Sequence, residues 1–369
     1  MPADLPAPMA AALGLAAQSL FISSPNPHVG CVITRPDGQV LGEGFTQAAG
    51  GPHAEVMALR DAQARGHSVR GATAWVTLEP CSHQGRTGPC CEALVQAGIA
   101  RVVASLTDPN PKVAGQGLQR LREAGVQVEV GPGAALSREL NIGFFSRMTR
   151  GRPWVRMKAA ASLDGTTALA NGRSQWITSE AARTDGHAWR ARACAIMTGI
   201  GTVLEDDPRL DVRLVPTARQ PLLVLVDSRL QLPATARLLG GNRQVLVYTA
   251  QPDVARQAAL EARGAQVVTL PNAQGKVDLA AMMTDLARRE INEVHVEAGH
   301  KLNGSLMAEG QVDELLVYLA PLLLGTGRGL ASLGPLSQLS EGVAMDFMDT
   351  RAVGPDLRLL ARIHGRQRI

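Results

Sequence analysis

Aromatic side chains are scarce in this chain: its 369 residues include 4 Trp, 2 Tyr and 5 Phe, about 3% of the total. That share argues against a stacking platform for single-stranded nucleic acid. An excess of one charge is also missing. The 37 Lys and Arg are interspersed with 33 Asp and Glu, for a net charge of +4. Such a balance suits an anionic small molecule as well as nucleic acid and decides neither. No apolar run reaches the length of a membrane span. The amino-terminal stretch MPADLPAPMAAALGLAAQSL is apolar, but it lacks a basic leader and places Asp4 where a secretion signal carries positive charge. Its Met9, Leu13, Ala16, Ala17 and Leu20 are spaced for an amphipathic first helix. The expectation is a cytoplasmic protein, in which cysteines stay reduced. Five cysteines, an odd number, suit no closed disulfide framework.

What is present is ordinary globular material, 45% hydrophobic and 19% charged, in a chain long enough for two cores. The first third alternates patterns. A helix over about 8–21 leads through the Pro-rich turn PNPHVG to the strand VGCVIT, and a PDG turn reverses into QVLGEG as a hairpin. A helix from His53 to near Gly66, the strand ATAWVTL, and the helix CCEALVQAG closed by Gly98 follow. Then come the strand RVVASL, the helix GLQRLREAG and the strand VQVEV. This alternation predicts an α/β sheet with helices on both faces. A boundary falls near 131–152, where a Gly-Pro-Gly opening and a helix end in a basic Gly/Pro link. Beyond it, WVRMKAAASL, CAIMTGIG, PLLVLVDS, QVLVYTA, AQVVTL, EVHVEAG and DELLVYLAPLL read as strands, with SEAARTDGHAWRARA and VDLAAMMTDLARRE as helices. The whole is read as two α/β domains, 1–150 and 151–369.

Residues 77–91, TLEPCSHQGRTGPCC, follow an apolar run, and GPHAEVMAL lies upstream. His53, Cys81 and Cys90 offer one imidazole and two thiolates, a set suited to zinc. Glu55 lies two residues from the histidine, placed to shuttle a proton without ligating. Both cysteines flank the start of a helix, where free N–H groups stabilise a thiolate. Two other readings stay open: a structural zinc that recruits Cys91 or His83 as fourth ligand, and unliganded buried cysteines that pack as small hydrophobes. Cys31 and Cys194 read as core.

The constellation resembles the zinc-dependent nucleoside and nucleobase deaminases, whose signature is H-x-E with P-C-x-x-C. His53-Ala54-Glu55 and Pro80-Cys81 match, but the second cysteine comes nine residues on, at Cys90. That longer loop is similar to the riboflavin-pathway pyrimidine deaminases, which read close to EPCSHxGRTxPC and carry a preceding PNPxVG, here Pro25 to Gly30. The resemblance implies that Asn26 and His83 meet the substrate. Arg86 on the same loop offers an anionic substrate a bidentate fork.

The second domain has no G-x-G-x-x-G; GIGTVL puts Leu204 where the third glycine belongs, so a Rossmann site is not indicated. Polar residues instead gather at strand ends, in SLDGTTA, GRSQWITS, GTVLEDDPRLDVR, VDS and VEAGHKLNGS. Singly, each is ordinary turn chemistry. Together they resemble the reductase half of the same riboflavin-pathway family, whose fold is similar to dihydrofolate reductase. This implies that Ala160, Trp176, Thr202, Asp206 and Ser228 line a nicotinamide-nucleotide site. The turn of Gly299, His300, Lys301, Leu302, Asn303, Gly304 and Ser305 would hold a phosphate. Ser174, Arg190, Leu210, Arg213 and Glu297 would face the substrate. His300 stands where the family usually has proline.

The resemblance covers nearly the whole chain. It implies a cytidine-deaminase-like domain that uses Zn2+ to deaminate a phosphoribosylated diaminopyrimidine. A dihydrofolate-reductase-like domain would then use NADPH to reduce the ribosyl unit to ribityl. The implied partners are small molecules and further copies of the chain, as dimer or tetramer, with no nucleic acid and no membrane. A base deaminase acting on RNA and a zinc-stabilised nucleic-acid module are the rivals. The second domain and the scarce aromatics count against the first, and a net charge of +4 is thin support for the second.

Overall fold

The structure, a computed structural model, describes residues 5–82, 88–111 and 113–366. The chain divides into two compact units, Met1–Arg150 and Gly151–Ile369. In the first, the order is α1 (Ala7–Gln18), β1 (Gly30–Thr34), β2 (Val40–Phe45), α2 (Ala54–Ala64), β3 (Thr73–Val76) and α3 (Cys90–Gln96). It continues with β4 (Arg101–Ala104), α4 (Gln116–Glu123), β5 (Gln127–Val130), α5 (Ala134–Leu140) and α6 (Ile142–Arg150). The five strands lie in the order β2-β1-β3-β4-β5. The β1–β2 and β1–β3 pairs are antiparallel, and β3–β4 and β4–β5 are parallel.

Helices cover both faces because the strands leave room for them. A Cβ on Gly30 would fall 1.9 Å from the Ala12 carbonyl oxygen of α1, and one on Gly42 would fall 2.2 Å from the Ala58 oxygen of α2. Gly42 pairs with Ile33, so its face is opposite to that of Gly30. Glycine at each position lets a helix backbone lie flush on the sheet. The helix expected from the amino-terminal spacing forms, with Met9, Leu13 and Ala16 buried. The 131–152 stretch holds two helices where the sequence suggested one, and α6 buries Ile142, Phe144 and Phe145. Between them Asn141 clamps the PNPH turn: its Oδ1 accepts from His28 N–H at 2.6 Å and its Nδ2 donates to the His28 oxygen at 3.0 Å.

The second unit runs β6 (Trp154–Ser162), β7 (Ala168–Leu169), α7 (Glu180–Arg192), β8 (Ala195–Gly199), α8 (Ile200–Asp206), β9 (Leu222–Val226) and β10 (Val245–Thr249). Then come α9 (Val254–Glu261), β11 (Ala265–Thr269), α10 (Leu279–Arg288), β12 (Glu293–Val296) and α11 (His300–Ala308). It ends with β13 (Glu314–Ala320), β14 (Gly327–Arg328), β15 (Met345–Val353) and β16 (Asp356–Ile363). Nine strands form one sheet in the order β11-β10-β9-β8-β12-β6-β13-β16-β15, and β14 pairs with β7. The sheet is parallel from β11 to β13, then antiparallel through β16 and β15.

Parallel central strands are covered on both sides, so β8 and β10 read as continuous apolar runs and every residue in them is buried. Two short helices of this unit, α8 and α9, escaped sequence reading. The α8 helix has seven residues, too few for a periodic signal. The α9 start was signalled by Asp253, whose side chain accepts from Arg256 N–H at 3.0 Å. Parallel strands end together, so the carboxyl ends of β6, β8, β9, β12 and β13 open on one edge, where ligands of such sheets bind.

Candidate active sites

In the first unit three soft donors meet where two helices begin. His53 is the residue before α2, with extended backbone (φ −78°, ψ 170°). Cys90 is the first residue of α3, after Pro89. Cys81 reaches them from the loop beyond β3. The Cys81 and Cys90 sulfurs lie 3.5 and 3.3 Å from His53 Nδ1. All three donor atoms fall within 4.8 Å of one another. Cys90 N–H donates to the Cys81 sulfur at 3.4 Å, one of the free N–H groups of a helix start that favour a thiolate. The hydrogen bond with Cys90 holds the Cys81 thiol well below the usual range. The same bond, with burial, pushes Cys90 up.

Glu55 sits in the first turn of α2 and is 3% exposed. Burial, then the neighbouring Cys81, raises its carboxyl to about 7. Cys91 is buried, and its N–H donates to the Cys81 oxygen at 3.2 Å. Its sulfur is not part of the three-donor set found among the described residues. All five cysteines are free, with Cys31 and Cys194 buried as core. Asn26 is half-buried in the turn before β1, held by its N–H to the Ser23 oxygen. His83 and Arg86 lie outside the described residues.

The sequence assigned no role to Glu79, although it directly precedes Pro80-Cys81. Its buried carboxylate accepts four backbone N–H groups: Asp108 at 3.0 Å, Gly115 at 2.9 Å, Gly117 at 2.8 Å and Leu118 at 3.3 Å. It thus caps α4 and ties the 108–118 loop to the cysteine loop. An acidic residue at the end of an apolar strand was the available signal. Asp108 is itself buried, and that burial raises it to about 7.

In the second unit the strand-end residues surround a cavity of about 550 Å³. Ala160, Trp176, Thr202, Asp206, Gly299, His300 and Asn303 line it, from the residues read as nucleotide-facing. Ser174, Arg190, Leu210, Arg213 and Glu297 line it too, from those read as substrate-facing. A second cavity of about 570 Å³ adjoins and is lined by Lys301 and Leu302. Three residues fall elsewhere. Ser228 lies beyond β9, its Oγ accepting from Val277 N–H at 3.1 Å. Gly304 packs so closely that a Cβ would meet the Ser332 oxygen at 2.1 Å. Ser305 Oγ donates to the Lys301 oxygen at 3.2 Å. The expected phosphate turn is therefore shorter than the sequence suggested. Gly299 precedes α11, His300 begins it, and from Asn303 onward the N–H groups bond within the helix.

The polar wall of the first cavity is tightly organised. Arg190 forks onto Glu297: its Nε donates to Oε1 and its Nη2 to Oε2, the latter at 2.8 Å. Lys158 Nζ lies 3.8 Å from Glu297 Oε2. Burial works against the Glu297 charge, yet Arg190 and then Lys158 outweigh it and hold the carboxyl well below its usual range. Burial also lowers Lys158. Arg190 thus serves Glu297 first, and Arg213, which is paired with Asp211, is the more exposed of the two. Behind them His187 Nδ1 accepts Arg213 N–H at 3.1 Å. Burial, then Arg190 and Arg213, pushes His187 down to about 4. Asn303 donates both amide hydrogens, to the Ala298 and Leu330 oxygens, while its buried Oδ1 has no partner among the described residues. Lys158 had a sequence signal, as the second cation after Arg156 in the strand segment RMKAAA. Arg209, Arg237 and Arg328 also line this cavity, and sequence reading singled out none of them.

A family profile described as "Cytidine and deoxycytidylate deaminase zinc-binding region" matches residues 5–106. One described as "RibD C-terminal domain" matches residues 153–359. The chain is 46% identical to the riboflavin biosynthesis protein RibD of Escherichia coli (strain K12), over 95% of this chain and 97% of that protein. It is 38% identical to RibD of Aquifex aeolicus, over 95% and 96%. A solved structure of Acinetobacter baumannii RibD superposes with a TM-score of 0.87 at 40% identity, covering 96% of this chain and 98% of that one. A deaminase/reductase structure from Thermotoga maritima gives 0.86 at 32% identity, covering 96% and 97%. No helix of the described residues is long and apolar enough to cross a membrane. With a cytidine-deaminase-like zinc-binding region followed by a RibD C-terminal domain, the chain belongs to the RibD family of bifunctional riboflavin-biosynthesis deaminase/reductases.

Proposed function

We propose that the first unit deaminates a phosphoribosylated diaminopyrimidine and that the second reduces the ribosyl unit of the product to ribityl with NADPH. The observation that carries this is the three-donor set of His53, Cys81 and Cys90, with the buried Glu55 carboxylate two residues from the imidazole. One imidazole and two thiolates suit a catalytic zinc that keeps a position open. When bound, the ion supplies Lewis acidity to a hydrolytic water. Glu55 is the proton carrier. Buried beside the ligand set, its carboxylate is placed to take a proton from the water and deliver it to the departing amino nitrogen. The reaction consumes one water, breaks the bond between a ring carbon and its exocyclic amino nitrogen, forms a carbonyl and releases ammonia. Asn26 and His83 would hold the substrate.

In the second unit Arg213, Ser174 and Leu210 would face the sugar phosphate and pyrimidine, with Glu297 held ionised by Arg190 and Lys158. The orphaned Asn303 Oδ1 fits a ligand N–H or O–H, and the free N–H groups at the α11 start fit a phosphate. Both suit a nicotinamide nucleotide, which when bound supplies the hydride. The chain's residues position it and exclude water. We place the protein in the cytoplasm as a homo-oligomer.

The test is to incubate the purified protein with the phosphoribosylated diaminopyrimidine, zinc and NADPH, following ammonia and NADPH oxidation together. Ammonia release should precede oxidation. Salt-sensitive RNA binding with no ammonia from the pyrimidine would overturn the proposal.

A further inference from the structure

The two cavities of the second unit share a narrow wall made by Thr202, Glu205, Gly299, His300 and Arg328. A dinucleotide has two nucleoside ends joined by a diphosphate. One that occupies both cavities must place its diphosphate at this wall. The α11 start supplies first-turn N–H groups there. Among the described residues, Arg328 is the one Lys or Arg that lines both cavities. We propose that Arg328 is a cofactor-binding residue that grips the diphosphate beside the α11 start, and that Glu205 holds its guanidinium in place until the dinucleotide arrives. This rests on reading the second unit as a nicotinamide-dinucleotide reductase.

The base of Arg328 is fixed. The residue pairs with Ala168 between β14 and β7, and its carbonyl oxygen accepts from Thr167 N–H at 2.7 Å and Thr167 Oγ1 at 3.0 Å. A Cβ on Gly327 would meet the Ala168 oxygen at 2.3 Å, so the strand pair tolerates only glycine there. The side chain passes Gly172, whose Cβ position lies 3.3 Å from Arg328 Nη2. Its tip is partly exposed by contrast. Nη1 donates to Glu205 Oε2 at 2.7 Å, but the two side chains are 31% and 53% exposed. Exposed pairs of this kind hold weakly. A phosphate offers the guanidinium fork two charged oxygens in matching geometry, and arginine favours that exchange. Glu205, at the solvent edge, can then swing away from the anion.

The experiment is an equilibrium titration of the full-length protein with NADPH, without pyrimidine, read by calorimetry. Arg328→Gln should weaken binding ~10- to 100-fold, the usual scale for a lost charge-assisted hydrogen bond, and by the same factor for NADH, which shares the diphosphate. Arg328→Lys should fall between. Glu205→Gln should tighten binding about 2- to 5-fold, because the competing pair is weak, and should have no effect in the Arg328→Gln background. If the parent protein binds neither NADPH nor NADH, the reductase reading itself fails. If the parent binds and Arg328→Gln binds equally well, the reading survives and this assignment is overturned. A loss confined to NADPH would also overturn it, by moving Arg328 to the extra phosphate of that cofactor. Should Arg328→Gln not fold, unchanged affinity in both Arg328→Lys and Glu205→Gln decides against the proposal.

Discussion

The two sites of this chain are built in opposite ways. In the first unit, the donor set comes from two short segments at or beside two helix starts, and the N–H of Cys90 at one of those starts donates to the Cys81 sulfur. In the second, the cavity wall draws on residues from Lys158 to Leu330, at the ends of parallel strands and the loops after them. The first site depends on a few atoms of particular chemistry. The second depends on many groups of ordinary chemistry held in register. A single substitution should therefore abolish function in the first and only shift constants in the second.

The largest effect should come from Glu55→Gln, which keeps the shape but loses the proton carrier. Deamination should fall ~10²–10⁴-fold, with zinc retained by elemental analysis and with normal reduction of substrate deaminated beforehand. Normal deamination would remove Glu55 from the chemistry. Next come Cys81→Ser and Cys90→Ser, which should each lose most of the bound zinc and the deaminase activity with it. Full metal occupancy in both would refute the ligand set.

Glu79→Ala tests whether the first site is as locally made as its motif suggests. The change strands four backbone N–H groups. At ~1–3 kcal/mol for a buried donor left unsatisfied, the first unit should lose about 3 kcal/mol or more in denaturant unfolding. An unchanged midpoint would mean that water or a neighbouring group replaces the carboxylate.

Arg213→Ala and Arg190→Ala probe the distributed site. Arg213 is exposed at the wall, so its loss should raise KM for the phosphorylated substrate about tenfold with little change in kcat. Arg190 also orients Glu297, so its loss should lower kcat as well. If the two variants behave alike, the Arg190–Glu297 fork does not matter to the reaction.

The smallest effect concerns pH. His187 is pushed down to about 4, and burial lowers His295 as well. An unfolded chain binds protons at these histidines near pH 6.5, before the folded unit does. Their contribution to stability is therefore full above about 6.5 and is lost as pH falls toward 4. Thermal melts at pH 7 and pH 5 should show the second unit losing stability, and His187→Gln should lose less over that interval. A variant with the same pH dependence would exclude His187.

Much of this was legible in the chain. His53, Glu55, Cys81 and Cys90 could be read because zinc chemistry demands particular residue types at short spacings, and helix starts mark themselves with Pro and Gly. The buried parallel strands were legible as apolar runs. Most strand-end residues were reached only through resemblance, because Asp, Gly and Asn look alike in a working site and an idle turn.

The sequence by itself determined most of the elements, the soft-donor set and the family. Local composition and spacing carry those, and they survive without knowing what packs where. Tertiary structure alone decided that Glu79 is a clamp and not an acid, and that Arg190 is committed to Glu297. It also decided that Gly304 and Ser305 fall outside the cavities while Arg328 lines both. Each of those outcomes pairs groups at least 29 residues apart, or turns on which way a helix faces. Hydrogen bonds and ion pairs are satisfied in space, and a one-dimensional pattern does not record which distant partner will arrive to satisfy them.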